Sequence, residues 1–136
     1  MKLAKTEVFE LKKSTDEIKE AVIAITAMLN KSRKGSLCFG VTNKGKIIGQ
    51  KITKRTLSTI NNAIKKGIKP RIIPHIKETY FGDKSCIQLE FAGENAPYKA
   101  YGKTYIRVNL ENLETTPANI KSIFEQKKEG NDCECD

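Results

Sequence analysis

The sequence predicts an α+β fold: a single mixed β-sheet built largely from hairpins, packed with about three helices. Apolar residues recur at helical spacing in three separated stretches, around 18–29, 57–64 and 120–124. Between them lie short alternating runs bounded by Gly, Pro and Asn, the pattern of strands and turns. With 136 residues the chain has the size of one domain and leaves no material for a second sizeable core. Residues 1–128 are expected to form that domain, with 129–136 a disordered acidic tail.

Residues 6–11 alternate and suit an edge strand. Ser14-Thr15-Asp16-Glu17 has the form of a capping box, in which the Ser hydroxyl and the Glu carboxylate satisfy each other's exposed backbone donors. In the helix it opens, Ile18, Ala21, Val22, Ile25 and Leu29 form one stripe. Ile23, Ala24, Ala27 and Met28 fill much of the rest, so the helix is expected to be buried on most sides. Its end falls within residues 30–35. A hairpin is expected next, with strands 36–42 and 46–50 joined at Asn43-Lys44-Gly45. Residues 53–67 then give an amphipathic helix with Leu57, Ile60 and Ile64 on one face. Beyond Pro70 and Pro74 come strand runs at 76–81 and 85–92, then 98–101 and 104–108. Thr116-Pro117 opens a last helix over 118–128, with Ile120, Ile123 and Phe124 as its stripe.

Charge is distributed unevenly. Residues 1–71 hold 17 Lys or Arg against 5 Asp or Glu, a balance of +12, whereas 72–136 hold 8 against 11, or −3; together they give the chain's net +9. From Ala21 to Lys77 there is no acid and there are 13 basic residues. Solvated surfaces ordinarily mix signs to limit self-repulsion, so this stretch implies a partner that brings the counter-charge. The alternative is a compositional bias toward Lys. A polyanion, nucleic acid first, is the partner such a face suits. No apolar run is long enough to span a bilayer, so no membrane partner is expected.

Enzyme signatures are sparse. There is no G-x-x-x-x-G-K-[ST] phosphate loop, no G-x-S-x-G elbow and a single His, His75. Cys38 and Cys86 lie in apolar strand runs and read as small buried hydrophobes. Cys133 and Cys135 are the only close pair, short of a zinc site, so neither metal nor cofactor is expected. No secretory apolar segment follows Met1, so a reducing, cytoplasmic setting is expected. A metal-dependent nuclease needs converging carboxylates; Glu7 and Glu10 point to opposite faces of an ideal strand, and no acid follows Glu20 until Glu78.

Taken in order, Glu10-x-Lys12, Gly35-x-Leu37-x-x-Gly40-Val41, Gly45-x-Ile47-x-Gly49 and Tyr105-x-Arg107 resemble the Schlafen-type AlbA-like domain over roughly residues 6–116. Such domains stand at the front of bacterial and archaeal transcriptional regulators and helicase-related proteins. The resemblance implies a mixed α/β fold and DNA or RNA binding. The sequence departs from the family pattern at Lys34, which stands in place of the first Gly of a pair. Family members that cleave RNA use three carboxylates; Glu10 matches one, whereas Lys5 and Thr42-Asn43 occupy the other two places.

The expected function is therefore nucleic-acid binding, DNA rather than RNA, through the phosphate backbone and without catalysis. Lys31, Arg33 and Lys34 at the helix end, Lys44 and Lys46 at the hairpin tip, Lys54 and Arg55 on the second helix, and Lys12 are the expected contacts. Arg107 and Tyr105 are candidates for a sugar or base contact, with plain strand packing the alternative for Tyr105. The competing functions are a homodimerising or protein-interaction module and a degenerate endoribonuclease using Glu10.

Overall fold

The computed structural model describes residues 2–123. Strand β1 (Phe9–Lys12) leads through a 3-10 turn (Thr15–Glu17) into helix α1 (Ile18–Ser32) and back into β2 (Lys34–Phe39). Strands β1 and β2 are parallel, with Phe9 opposite Ser36 and Lys12 opposite Phe39. Parallel neighbours need a crossover, and α1 supplies it. Helix α2 (Lys54–Gly67) runs directly into β3 (Ile68–Lys69). The hairpin of β4 (His75–Phe81) and β5 (Lys84–Ala92) follows, then β6 (Lys99–Ala100), β7 (Lys103–Val108) and β8 (Glu111–Thr115). Residues 117–123 are helical. The rest of the expected last helix, Phe124, the tail 129–136, Cys133 and Cys135 lie outside the described residues.

The α+β class holds, but the strands form two sheets rather than one: β1-β2-β5-β4 and β3-β6-β7-β8. The reason lies in α1. Its nine buried residues, Ala21, Val22, Ala24–Asn30, leave almost no face for solvent. One sheet covers only one side of a helix; α1 instead touches β1, β2 and β5 of the first sheet and β6, β7 and β8 of the second. Val22, Ile25, Met28 and Leu29 are wholly buried there, each contributing about 1.5–3 kcal/mol of apolar transfer.

Asn30, in the last turn of α1, fastens the helix to the second sheet. Its amide nitrogen donates to the carbonyls of Tyr98 (2.9 Å) and Tyr105 (2.7 Å), and its oxygen accepts from the Tyr98 N–H at 2.7 Å. Every polar valence that points inward is thereby used.

Two local expectations need correction, whereas the end of α1 falls within residues 30–35 as expected. The capping box is displaced: Ser14 Oγ accepts from Asp16 N–H, while Glu17 reaches back one residue further to the Lys13 N–H at 2.9 Å. α1 stops at Arg33 in the left-handed conformation (φ 63°), its N–H bonded to Leu29 C=O. Gly35 already lies in β2, where it is needed for space, because a Cβ there would meet the Phe91 ring at 2.8 Å. The hairpin expected over 36–50 does not form a ladder. Gly40 (φ 104°) turns the chain away, residues 46–50 are held by isolated bridges of Lys46 and Ile47 and by individual bonds to Thr42, Gly40 and Ser85 rather than by a continuous ladder, and β2 pairs with β1 and β5 instead.

Candidate functional site

Two of the sequence-selected residues meet inside the molecule. Arg107 on β7 is wholly buried and donates from Nη1 to Glu10 Oε2 on β1 at 2.9 Å. The same Nη1 reaches Asn112 Oδ1 at 2.9 Å, and Nη2 donates to the carbonyl of Thr6 at 2.9 Å. Lys5 Nζ stands 2.9 Å from the other Glu10 oxygen, which also accepts the Leu11 N–H. Burial by itself would raise the Glu10 carboxyl; the Arg107 guanidinium, Lys5, the Leu11 N–H and the charge of Lys12 outweigh it and hold the group below its ordinary range.

This network ties one sheet to the other. It sets Arg107, expected as a sugar or base contact, away from the surface: the guanidinium has no exposed area, Nη1 and Nη2 are engaged by Glu10, Asn112, Thr6 and Phe9, and Nε is buried with no hydrogen-bond partner among the described residues. Tyr105, half-buried, packs against the main core, in line with its strand-packing alternative. Both Glu10 oxygens are engaged by cations, and among the described residues no three His, Cys, Asp or Glu side chains converge.

The remaining basic candidates lie at the surface. Lys34, Lys44, Lys46, Lys54 and Arg55 are exposed, and among the described residues none of the five has an ion-pair partner. Lys12 and Lys31 are half-buried, and Arg33 is paired with Glu94 at 3.4 Å. Lys54 and Arg55 occupy the first turn of α2, whose first turn carries no acid. A cation there opposes the helix dipole by about 0.3–1 kcal/mol. Lys34 lines a separate groove on the open face of the first sheet, in company with His75, Gln88 and Glu90.

The structure brings Lys44 and Lys46 together with two lysines that composition alone did not single out. Lys2, Lys13, Thr42, Asn43, Lys44 and Lys46 line an open groove of about 510 Å³. Among the described residues no carboxylate lines it; Glu17, bonded to this segment, takes the backbone N–H of Lys13. A space of this volume is roughly 10 Å across, about one Debye length at 0.1 M salt, so the lysines around it are incompletely screened from one another. Residues 2–3 form one wall by pairing with the loop: Leu3 N–H donates to Gly45 C=O at 2.9 Å, and Lys2 bridges to Lys46. Gly45 is required at this crossing, because it has φ 90° and a Cβ would collide with the Leu3 carbonyl oxygen. The signal for Lys2 and Lys13 was present only as charge; their proximity to the loop depends on this tertiary pairing.

Two sheets around a central helix, joined by a buried Glu–Arg pair contributed by the E-x-K and Y-x-R segments, define the class of domain. A family model for Schlafen, AlbA_2 domains matches residues 5–116, and the chain belongs to that family. No curated protein matches the chain. Among solved structures, the DIP2311 protein from Corynebacterium diphtheriae is similar, with a TM-score of 0.67 at 14% identity over 84% of this chain. The likeness is one of fold, and this chain spans only 23% of that protein's length.

Proposed function

We propose that this domain binds nucleic acid, DNA in preference to RNA, by gripping the phosphate backbone as a module of the transcriptional-regulator type. The observation that carries the reading is the set of exposed cations without acidic partners among the described residues, Lys34, Lys44, Lys46, Lys54 and Arg55, in a stretch from Ala21 to Lys77 that contains no acid. Membership of the AlbA_2 family supports it. Lys54 and Arg55 add to the argument, because an incoming phosphate turns their opposition to the α2 dipole into a joint attraction. Lys12, Lys31 and Arg33 stand as auxiliary contacts. Phosphate contacts carry affinity but little sequence information, so specificity should be weak.

Titration of fluorescent duplex and single-stranded oligonucleotides at several salt concentrations tests this. With six or more phosphates neutralised, log K against log salt should slope by roughly −5; no binding at low salt refutes the proposal. A second reading, homodimerisation, draws on Val108, Leu110 and Leu113, which are exposed around the turn into edge strand β8. Light scattering on the eluting protein distinguishes the two.

A further inference from the structure

We infer that the groove lined by Lys2, Lys13, Lys44 and Lys46 is the principal seat of a phosphodiester backbone on this chain, and that the strand-like pairing of residues 2–3 with the 42–46 loop builds it. The inference rests on the nucleic-acid reading above and names the site within it.

Four of the six lining residues are lysines, all exposed, and the other two, Thr42 and Asn43, are neutral. Like charges gathered around a space about one Debye length wide repel one another, and a surface without a polyanionic partner ordinarily intersperses acids to relieve this. Here no carboxylate among the described residues lines the groove, and backbone pairing draws its walls together. The Leu3–Gly45 hydrogen bond and the Lys2–Lys46 bridge draw the start of the chain against the loop, although bringing Lys2 beside Lys46 adds repulsion. Thr42 organises the loop from within: its carbonyl accepts the Gly45 N–H at 2.8 Å and its hydroxyl accepts the Lys46 N–H at 3.0 Å. Lys2 lies outside the family match at residues 5–116.

The size of the groove sets the expected contact. At about 3.4 Å of rise per phosphate on one strand, a length of roughly 10 Å passes about three phosphates of one backbone. Neutralising three phosphates contributes about −2.7 to the salt slope on duplex, and about −2 on a single strand. The groove then supplies near half of the roughly −5 expected for the whole domain.

The test compares the full chain with two charge-matched variants. One carries Lys2→Gln, Lys13→Gln, Lys44→Gln and Lys46→Gln. The other carries Lys65→Gln, Lys66→Gln, Lys69→Gln and Lys99→Gln, at exposed positions that do not line the groove. Binding of a fluorescent oligonucleotide is measured from low to moderate salt, and thermal melts check that both variants stay folded. The inference expects the slope to fall by about 2–3 in the first variant and by less than about 1 in the second. Equal falls in both, or an unchanged slope in the first, overturn the groove while leaving the broader reading intact. Absence of binding by the unaltered chain at low salt overturns the nucleic-acid reading itself and this inference with it.

Discussion

Replacing Glu10 with Gln keeps the shape of the side chain and removes its charge from a site where Glu10 is 1% exposed and Arg107 is wholly buried. Arg107 then loses its one carboxylate partner among the described residues, and Lys5 loses the ion pair at 2.9 Å. Breaking a buried pair from one side costs about 3–5 kcal/mol. Here Asn112 Oδ1 and the Thr6 carbonyl continue to accept from the guanidinium, which places the expected loss near the lower end, about 3 kcal/mol. For a domain of this size that corresponds to a fall of roughly 10–15 °C in Tm. Urea unfolding followed by circular dichroism measures it. The pH dependence gives a second, sharper signature. Glu10 is held below its ordinary value, so the unfolded chain binds the proton more readily; its contribution is present above pH 4.5 and is lost as pH falls through the lowered folded value. Glu10→Gln should therefore flatten the acid limb of the stability profile below pH 4.5, with little effect on oligonucleotide binding. A loss under about 1 kcal/mol together with an unchanged acid limb refutes the buried-pair account. Loss of a Mg²⁺- or Mn²⁺-dependent RNA cleavage on the same substitution would instead assign Glu10 to a nuclease site.

Asn30→Leu removes three hydrogen bonds to the Tyr98 and Tyr105 backbones and should lower stability by about 3 kcal/mol, read by the same urea assay; a change within about 0.5 kcal/mol counts against the clasp. Gly45→Ala forces a Cβ toward the Leu3 carbonyl at φ 90° and should free residues 2–3 from the loop, seen as faster amide exchange at Leu3, while the core strands keep their protection. Burial pushes the Cys38 thiol up to about 12, and Cys86 is raised as well. Native protein at pH 8 should leave Cys38 and Cys86 unalkylated by peptide mass spectrometry, with labelling after urea. Because the folded thiol keeps its proton longer than the unfolded one, stability should also decline as pH rises above the ordinary value of 9.0.

Most of the elements were readable because their signals are local. The stripe of α1, the Leu57, Ile60 and Ile64 face of α2 and the alternation of Ile87, Leu89 and Phe91 in β5 each act within a few residues. Two strands went unread for the opposite reason. Residues 111–115 are Glu-Asn-Leu-Glu-Thr, with one apolar side chain, and become β8 because Leu113 pairs with Ile106 across the sheet. Residues 68–69 are too short to show a period, and follow α2 without a turn. The two-sheet arrangement was latent in α1, whose apolar residues on nearly every side already demanded cover on two faces. Among the site candidates, charge identified Lys44 and Lys46, but their neighbours Lys2 and Lys13 stand far from them in sequence and join them only through tertiary pairing.

Apart from Lys12, the residues that carry the family resemblance are not those proposed to carry binding, and the chemistry of Glu10 and Arg107 explains why. Glu10 and Arg107 are spent on each other: a carboxylate and a guanidinium at 2.9 Å, shut from water, gain little from a phosphate outside and lose much if separated. They tie β1 of one sheet to β7 of the other. Phosphate binding needs the reverse conditions, exposed cations with no carboxylate to satisfy them, and these are met at Lys44 and Lys46 on a loop whose course depends on Gly40 and Gly45. Swapping lysines on that loop should therefore tune affinity without disturbing the frame, whereas substitutions at Glu10 or Arg107 should lower the stability of the domain before they alter what it binds.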